Sequence, residues 1–85
     1  MKEIEDWIIS WFEKNTDVKK DEIRNILYEN YFERGGIDSL KFIEFITDIE
    51  YAFKIQFSND EFQNRMFSTI NGLCKIIESK KNERL

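Results

Sequence analysis

Apolar residues recur at helical spacing in several stretches of this 85-residue chain. Within residues 3–14, Ile4, Trp7, Ile8, Trp11 and Phe12 fall at i, i+3, i+4, i+7 and i+8, with charge on the other side. That period puts one apolar stripe along an amphipathic helix. Asn15-Thr16-Asp17 reads as its stop. Residues 16–37 keep no sustained period and form a long connection, with room for a helical turn from Asp21 to Leu27. A connection this long in a small domain has a function or packs its own side chains on the core. Ile23, Ile26, Leu27, Tyr28, Tyr31 and Phe32 are available for that packing.

Gly35-Gly36 breaks the chain, and Asp38 is a suitable N-cap for a helix over 39–54. At about 100° per residue this helix has two faces. Phe42, Phe45, Ile46, Ile49 and Phe53 cluster as a core face, while Leu40, Ile43, Glu44, Thr47 and Tyr51 cluster opposite them. The second face mixes apolar and acidic residues beside Ser39 and suits contact with a partner. Ser58 and Glu61 form a capping box with Phe57 and Phe62 at the staple positions, which predicts a short helix over 59–65. A last helix over 69–80 carries Ile70, Leu73, Cys74 and Ile77, with Ser68 as its cap; the tail from Lys80 onward should fray. The fold class expected is all-α: a small antiparallel four-helix bundle of three main helices and one short one. One domain spans residues 1–80, with a frayed tail at 81–85.

Composition narrows the chemistry. A chain of this size needs large side chains to fill its core, and 8 Phe, 3 Tyr and 2 Trp supply them. The absence of histidine excludes His-based acid/base catalysis, Ser-His-Asp and Cys-His nucleophiles and His-containing zinc sites. Cys74 stands alone, so neither an internal disulfide nor an all-cysteine metal site can form. It falls on the apolar stripe of the last helix, as a buried small hydrophobe would. No stretch approaches the roughly 20 apolar residues of a membrane span, and the charged start MKEIEDW is unlike a secretory signal. A cytoplasmic monomer is expected.

Seventeen acids against 13 bases leave a net charge of −4, which argues against a nucleic-acid surface. Residues 38–61 hold six acids (Asp38, Glu44, Asp48, Glu50, Asp60, Glu61) and two bases (Lys41, Lys54), a net of −4. Outside them 11 acids balance 11 bases. All the excess charge therefore lies on the helix that starts at Ser39 and the short one after it, where it would steer basic partners.

The segment from Gly35 to Phe45 resembles the phosphopantetheine attachment site of acyl and peptidyl carrier proteins. Gly36, Asp38, Ser39 and Leu40 match its Gly-x-Asp-Ser-Leu run, and Ile43-Glu44-Phe45 stands where Val-Glu-Leu is common. Ile49-Glu50 followed by Phe53 is similar to Leu-Glu-x-x-Phe, and Phe67-Ser68-Thr69-Ile70 to the Phe-x-Thr-Val or Ile lead-in of the last helix. The resemblance covers roughly residues 3–80. Gly35 replaces a frequent leucine, Phe57-Ser58 replaces the Ile-Pro of fatty-acid carriers, and the Asp60–Thr69 spacing looks longer than in that type. These departures are more like the stand-alone carriers that include D-alanyl carrier proteins.

The resemblance implies a carrier, not an enzyme. Ser39 would take 4′-phosphopantetheine from coenzyme A, and Asp38 would cap the helix and help hold the magnesium of the phosphopantetheinyl transferase. Leu40, Ile43, Glu44, Thr47, Asp48 and Tyr51 would meet partners: that transferase, an acyl- or aminoacyl-loading ligase, and downstream transferase or synthase enzymes. The alternative is an unmodified helical adaptor using the same acidic face for a basic protein. Trp7, Trp11, Phe12, Phe42, Phe45, Phe53, Phe62 and Phe67 would crowd the core, which favours a small acyl or aminoacyl cargo displayed outside it.

Overall fold

The first apolar stripe forms α1 (Lys2–Asn15) in the computed structural model, which describes residues 2–34 and 36–83. Ile4, Ile8, Trp11 and Phe12 are buried as their period predicts; Ile9 joins them, and Trp7 is only partly covered. The helix closes on its own side chains. Asn15 Nδ2 donates to the Trp11 carbonyl at 2.9 Å and Thr16 Oγ1 to the Phe12 carbonyl at 2.6 Å.

The long connection contains two short helices, α2 (Lys20–Asn25) and α3 (Tyr31–Arg34). Ile23, Ile26 and Tyr31 are buried in the core, and Leu27 packs against it. Tyr28 and Phe32, expected to join them, are exposed. Three ties hold this segment to the start of the last helix. The Asn71 N–H donates to the Leu27 carbonyl at 2.9 Å, Asn30 and Thr69 form an isolated antiparallel bridge, and the Tyr31 hydroxyl donates to the Phe67 carbonyl.

Helix α4 (Ser39–Phe53) buries Phe45, Ile46 and Ile49, with Phe42 and Phe53 partly covered. It ends at Lys54 in the left-handed region (φ 55°), whose N–H returns to the Glu50 carbonyl. The Glu50 side chain then accepts from the Phe57 N–H at 2.9 Å and so fixes the turn that follows.

The capping box forms as expected. Ser58 N–H donates to Glu61 Oε1 at 2.7 Å, and Glu61 N–H to Ser58 Oγ at 3.3 Å. Phe57 and Phe62 meet edge to face at 6.0 Å. The helix they open, α5 (Asn59–Phe62), is shorter than the 59–65 expected, because the chain tightens into a 3₁₀ turn at Arg65–Ser68. Phe62 is exposed and not a core residue.

That turn also moves the cap of α6 (Ile70–Glu83). Ser68 spends its hydroxyl on the Arg65 carbonyl at 2.8 Å, and Thr69 Oγ1 takes the Gly72 N–H at 3.0 Å. Gly72 is needed there: a Cβ would lie 2.2 Å from the Met66 carbonyl oxygen. The helix continues past Lys80 to Glu83. The Lys80 ammonium lies 3.0 Å from Glu61, and Lys81 lies over the Phe53 ring at 5.5 Å. Arg84 and Leu85, the end of the expected tail, lie outside the described residues.

Ring contacts give the directions. Trp7 meets Phe53 while Trp11 and Phe12 meet Phe45, so α1 runs antiparallel to α4. Phe42 meets Phe67 and Phe53 meets Lys81, so α4 and α6 run the same way. The result is the small all-α bundle expected, but with three short helices among the described residues where one was expected, and with α4 and α6 parallel and not antiparallel, because residues 54–69 return the chain to the Phe42 end of α4 before α6 begins. No described helix is long and apolar enough to cross a membrane.

Candidate functional site

The opening of α4 is set by three adjacent residues doing different work. Gly36 adopts φ +70°, a conformation other residues rarely take; a Cβ there would reach Thr16 and Val18 of the α1–α2 loop at ordinary contact distance, so the strained backbone and not crowding is what calls for glycine. Ile37 points inward and is buried, anchoring the turn. Asp38 then caps the helix: its Oδ1 accepts the Lys41 N–H at 2.8 Å and its carbonyl accepts the Phe42 N–H at 2.8 Å. Ser39 follows as the first helical residue, with its side chain exposed. Helix geometry leaves the Ser39 and Leu40 N–H groups without intrahelical acceptors, at the positive end of the helix dipole. An exposed hydroxyl beside such donors suits a phosphodiester.

The outward face is where the helical period predicts it. Leu40 is 78% exposed, Ile43 62% and Tyr51 86%, with Glu44 and Thr47 exposed between them. These are large apolar groups left in solvent on one helix face. Asp48 does not belong to that face. It is half-buried at the flank toward α1, and its carboxylate accepts the Trp11 indole N–H at 2.8 Å.

The acidic segment is also structural in detail. Asp38 caps α4, Asp48 holds Trp11, Glu50 holds the Phe57 N–H, and Glu61 closes the capping box and pairs with Lys80. Burial pushes the Glu61 carboxyl up, but the Ser58 N–H and the Lys80 ammonium outweigh it and leave it below the ordinary carboxylate range. Glu44 makes only a loose pair with Lys41, at 3.8 Å. Among the described residues no group of three or more His, Cys, Asp or Glu side chains gathers to hold a metal ion. Cys74 is fully buried, and burial raises its thiol to about 12.

The site is thus an exposed serine behind an aspartate cap, on a helix that offers an apolar and acidic face. Residues 6–77 match the family described as the phosphopantetheine attachment site, and the chain belongs to it. It is similar to the acyl carrier protein homolog of Mycoplasmopsis pulmonis, 35% identical over 91% of this chain and 94% of that one. The D-alanyl carrier proteins of Lactococcus lactis subsp. lactis (33%, over 74% and 80%) and Streptococcus uberis (31%, over 92% and 91%) are also similar. No solved structure matches the chain at a significant level. The protein is a phosphopantetheine-dependent carrier and not an enzyme. The unmodified adaptor reading gives way to that match.

Proposed function

We propose that Ser39 is the residue that accepts 4′-phosphopantetheine, and that the protein carries an aminoacyl or short acyl group in the cytoplasm. The observation that carries this reading is the exposed hydroxyl at the first position of α4, directly after the Asp38 cap. The bound group supplies a thiol that holds the cargo as a thioester. The chain's own residues supply position. Gly36 and Ile37 set the turn, Asp38 fixes the helix start, and the Ser39 and Leu40 N–H groups would be available to the phosphate. Among the relatives, those named D-alanyl carrier protein support an aminoacyl cargo.

Partners would be a phosphopantetheinyl transferase, a loading ligase and a downstream transferase or synthase. Leu40, Ile43, Glu44, Thr47 and Tyr51 would meet them; Asp48 would contribute charge from the flank. Incubation with coenzyme A, magnesium and a broad-specificity transferase should add one phosphopantetheine mass to the protein. Ser39→Ala should abolish the addition and leave the helical circular-dichroism signal unchanged. Modification that persists in Ser39→Ala, or none in the wild type, overturns the assignment.

A further inference from the structure

An apolar cargo held near Ser39 has an apolar core one helical turn away, and water favours its transfer there. Phe42, one turn on from Ser39 along α4, is only partly covered. At the surface, Phe42 and the exposed Phe32 lean on each other with ring centroids 4.8 Å apart. Behind them Tyr31 is completely buried. Its ring stacks on Phe42 at 6.4 Å and 22° and meets Phe45 and Phe12 edge to face at 5.8 and 6.0 Å. Its hydroxyl donates to the Phe67 carbonyl, and the Phe67 ring in turn meets Phe42 at 6.0 Å. Tyr31 thus braces α1, α4 and the 3₁₀ turn before α6 at once.

Resting on the reading of Ser39 above, we propose that Tyr31 sets the upper limit on cargo length by bolting the core shut behind the Phe32–Phe42 lip. The hydroxyl is the decisive atom. A plain aromatic ring displaced by an incoming chain exchanges one set of dispersion contacts for another. The Tyr31 ring must also break a buried hydrogen bond and leave the Phe67 carbonyl unpaired. A chain short enough to stay outside meets no such barrier. A depression of about 380 Å³ does exist, but Lys54, Ile55, Gln56 and Lys80 line it at the opposite end of α4.

The test uses the full chain, charged directly by a broad-specificity transferase from acetyl- or octanoyl-coenzyme A and checked by intact mass. The rate of thioester cleavage by hydroxylamine is then compared for the two cargos. Each rate is divided by that of the same acyl group on free pantetheine, and in the wild type the two normalised rates should be equal. In Tyr31→Phe the octanoyl thioester should be cleaved roughly tenfold more slowly than the acetyl one, the factor expected when about nine in ten chains are sheltered. Tyr31→Met, which also removes the hydroxyl while keeping an apolar side chain, should shift the ratio the same way and serves if Tyr31→Phe does not fold. A role in stability alone would change both rates together and leave their ratio at one. Octanoyl protection already present in the wild type, or a ratio of one in the folded variants, overturns the proposal. Failure of the protein to gain either mass overturns the Ser39 reading instead, and is seen before any cleavage is measured.

Discussion

Ile43 and Ile49 lie on the same helix, and replacing each by aspartate should separate docking from folding. Ile49 is fully buried, whereas Ile43 is 62% exposed. Truncating a buried isoleucine costs about 2–5 kcal/mol. An aspartate at that site adds the cost of a carboxylate with no partner, or of its protonation, another few kcal/mol. A chain of 85 residues has roughly 4–13 kcal/mol of stability in all, at about 0.05–0.15 kcal/mol per residue. Ile49→Asp should therefore leave the protein unfolded or close to it. Ile43→Asp forfeits a minor part of one side chain's burial and should stay within about 1 kcal/mol of wild type. Urea unfolding followed by circular dichroism and by tryptophan fluorescence measures both, and coincident curves license a two-state comparison. The rate of phosphopantetheine transfer, read by mass, should fall for the folded Ile43→Asp protein. Equal losses of stability in the two variants would refute the division of α4 into two faces. An unchanged transfer rate in folded Ile43→Asp would refute the docking role of its outer face.

The charged positions make a similar pair: Glu44→Gln should slow transfer and weaken its salt dependence with little change in stability, because exposed rim charges act mainly on association. Asp48→Asn should instead lower stability by about 1 kcal/mol, since it weakens the charge-assisted bond from the Trp11 indole, and should shift tryptophan emission. Cys74 should resist a thiol reagent at pH 8 in the folded protein and react fully in denaturant, because a thiol raised to about 12 holds only about one thiolate in ten thousand there. Its linkage has a definite sign: the folded state keeps the proton more tightly, so the contribution is intact below the ordinary thiol value and is lost as pH rises from there toward 12.

The three long helices were legible because each buries one face, and burial of one face imposes a period on the residues that form it. The capping box at Ser58 and Glu61 was legible because it is local, closed between residues three apart. Features decided by distant parts of the chain were not. Ser68 and Thr69 can both cap a helix; the 3₁₀ turn settles it by engaging Ser68 with the Arg65 carbonyl. Nothing near Lys80 announces that α6 continues, since its partner Glu61 is 19 residues away. Tyr31 and Phe32 are adjacent aromatics, yet one is fully buried and the other exposed. Only the Phe67 carbonyl and the surrounding rings distinguish them. At the site, the spacing of Asp38 and Ser39 was readable, but the inward anchor Ile37 lies in a stretch with no period.

Asp48 shows why charge counting alone misjudges a docking face. The excess of four negative charges in residues 38–61 suggests a free acidic surface. Yet four of the six carboxylates have fixed hydrogen-bond work: Asp38, Asp48, Glu50 and Glu61. Accepting a hydrogen bond does not remove the charge, so these groups still contribute to the field that a basic partner meets. It does remove their freedom. A side chain already held by the fold has less rotamer entropy to lose when a partner docks, which lowers the cost of association. The same bonds couple recognition to stability, so substitution at any of the four changes both. Glu44, loosely paired and exposed, is the position where the field can be altered with the least cost to the bundle.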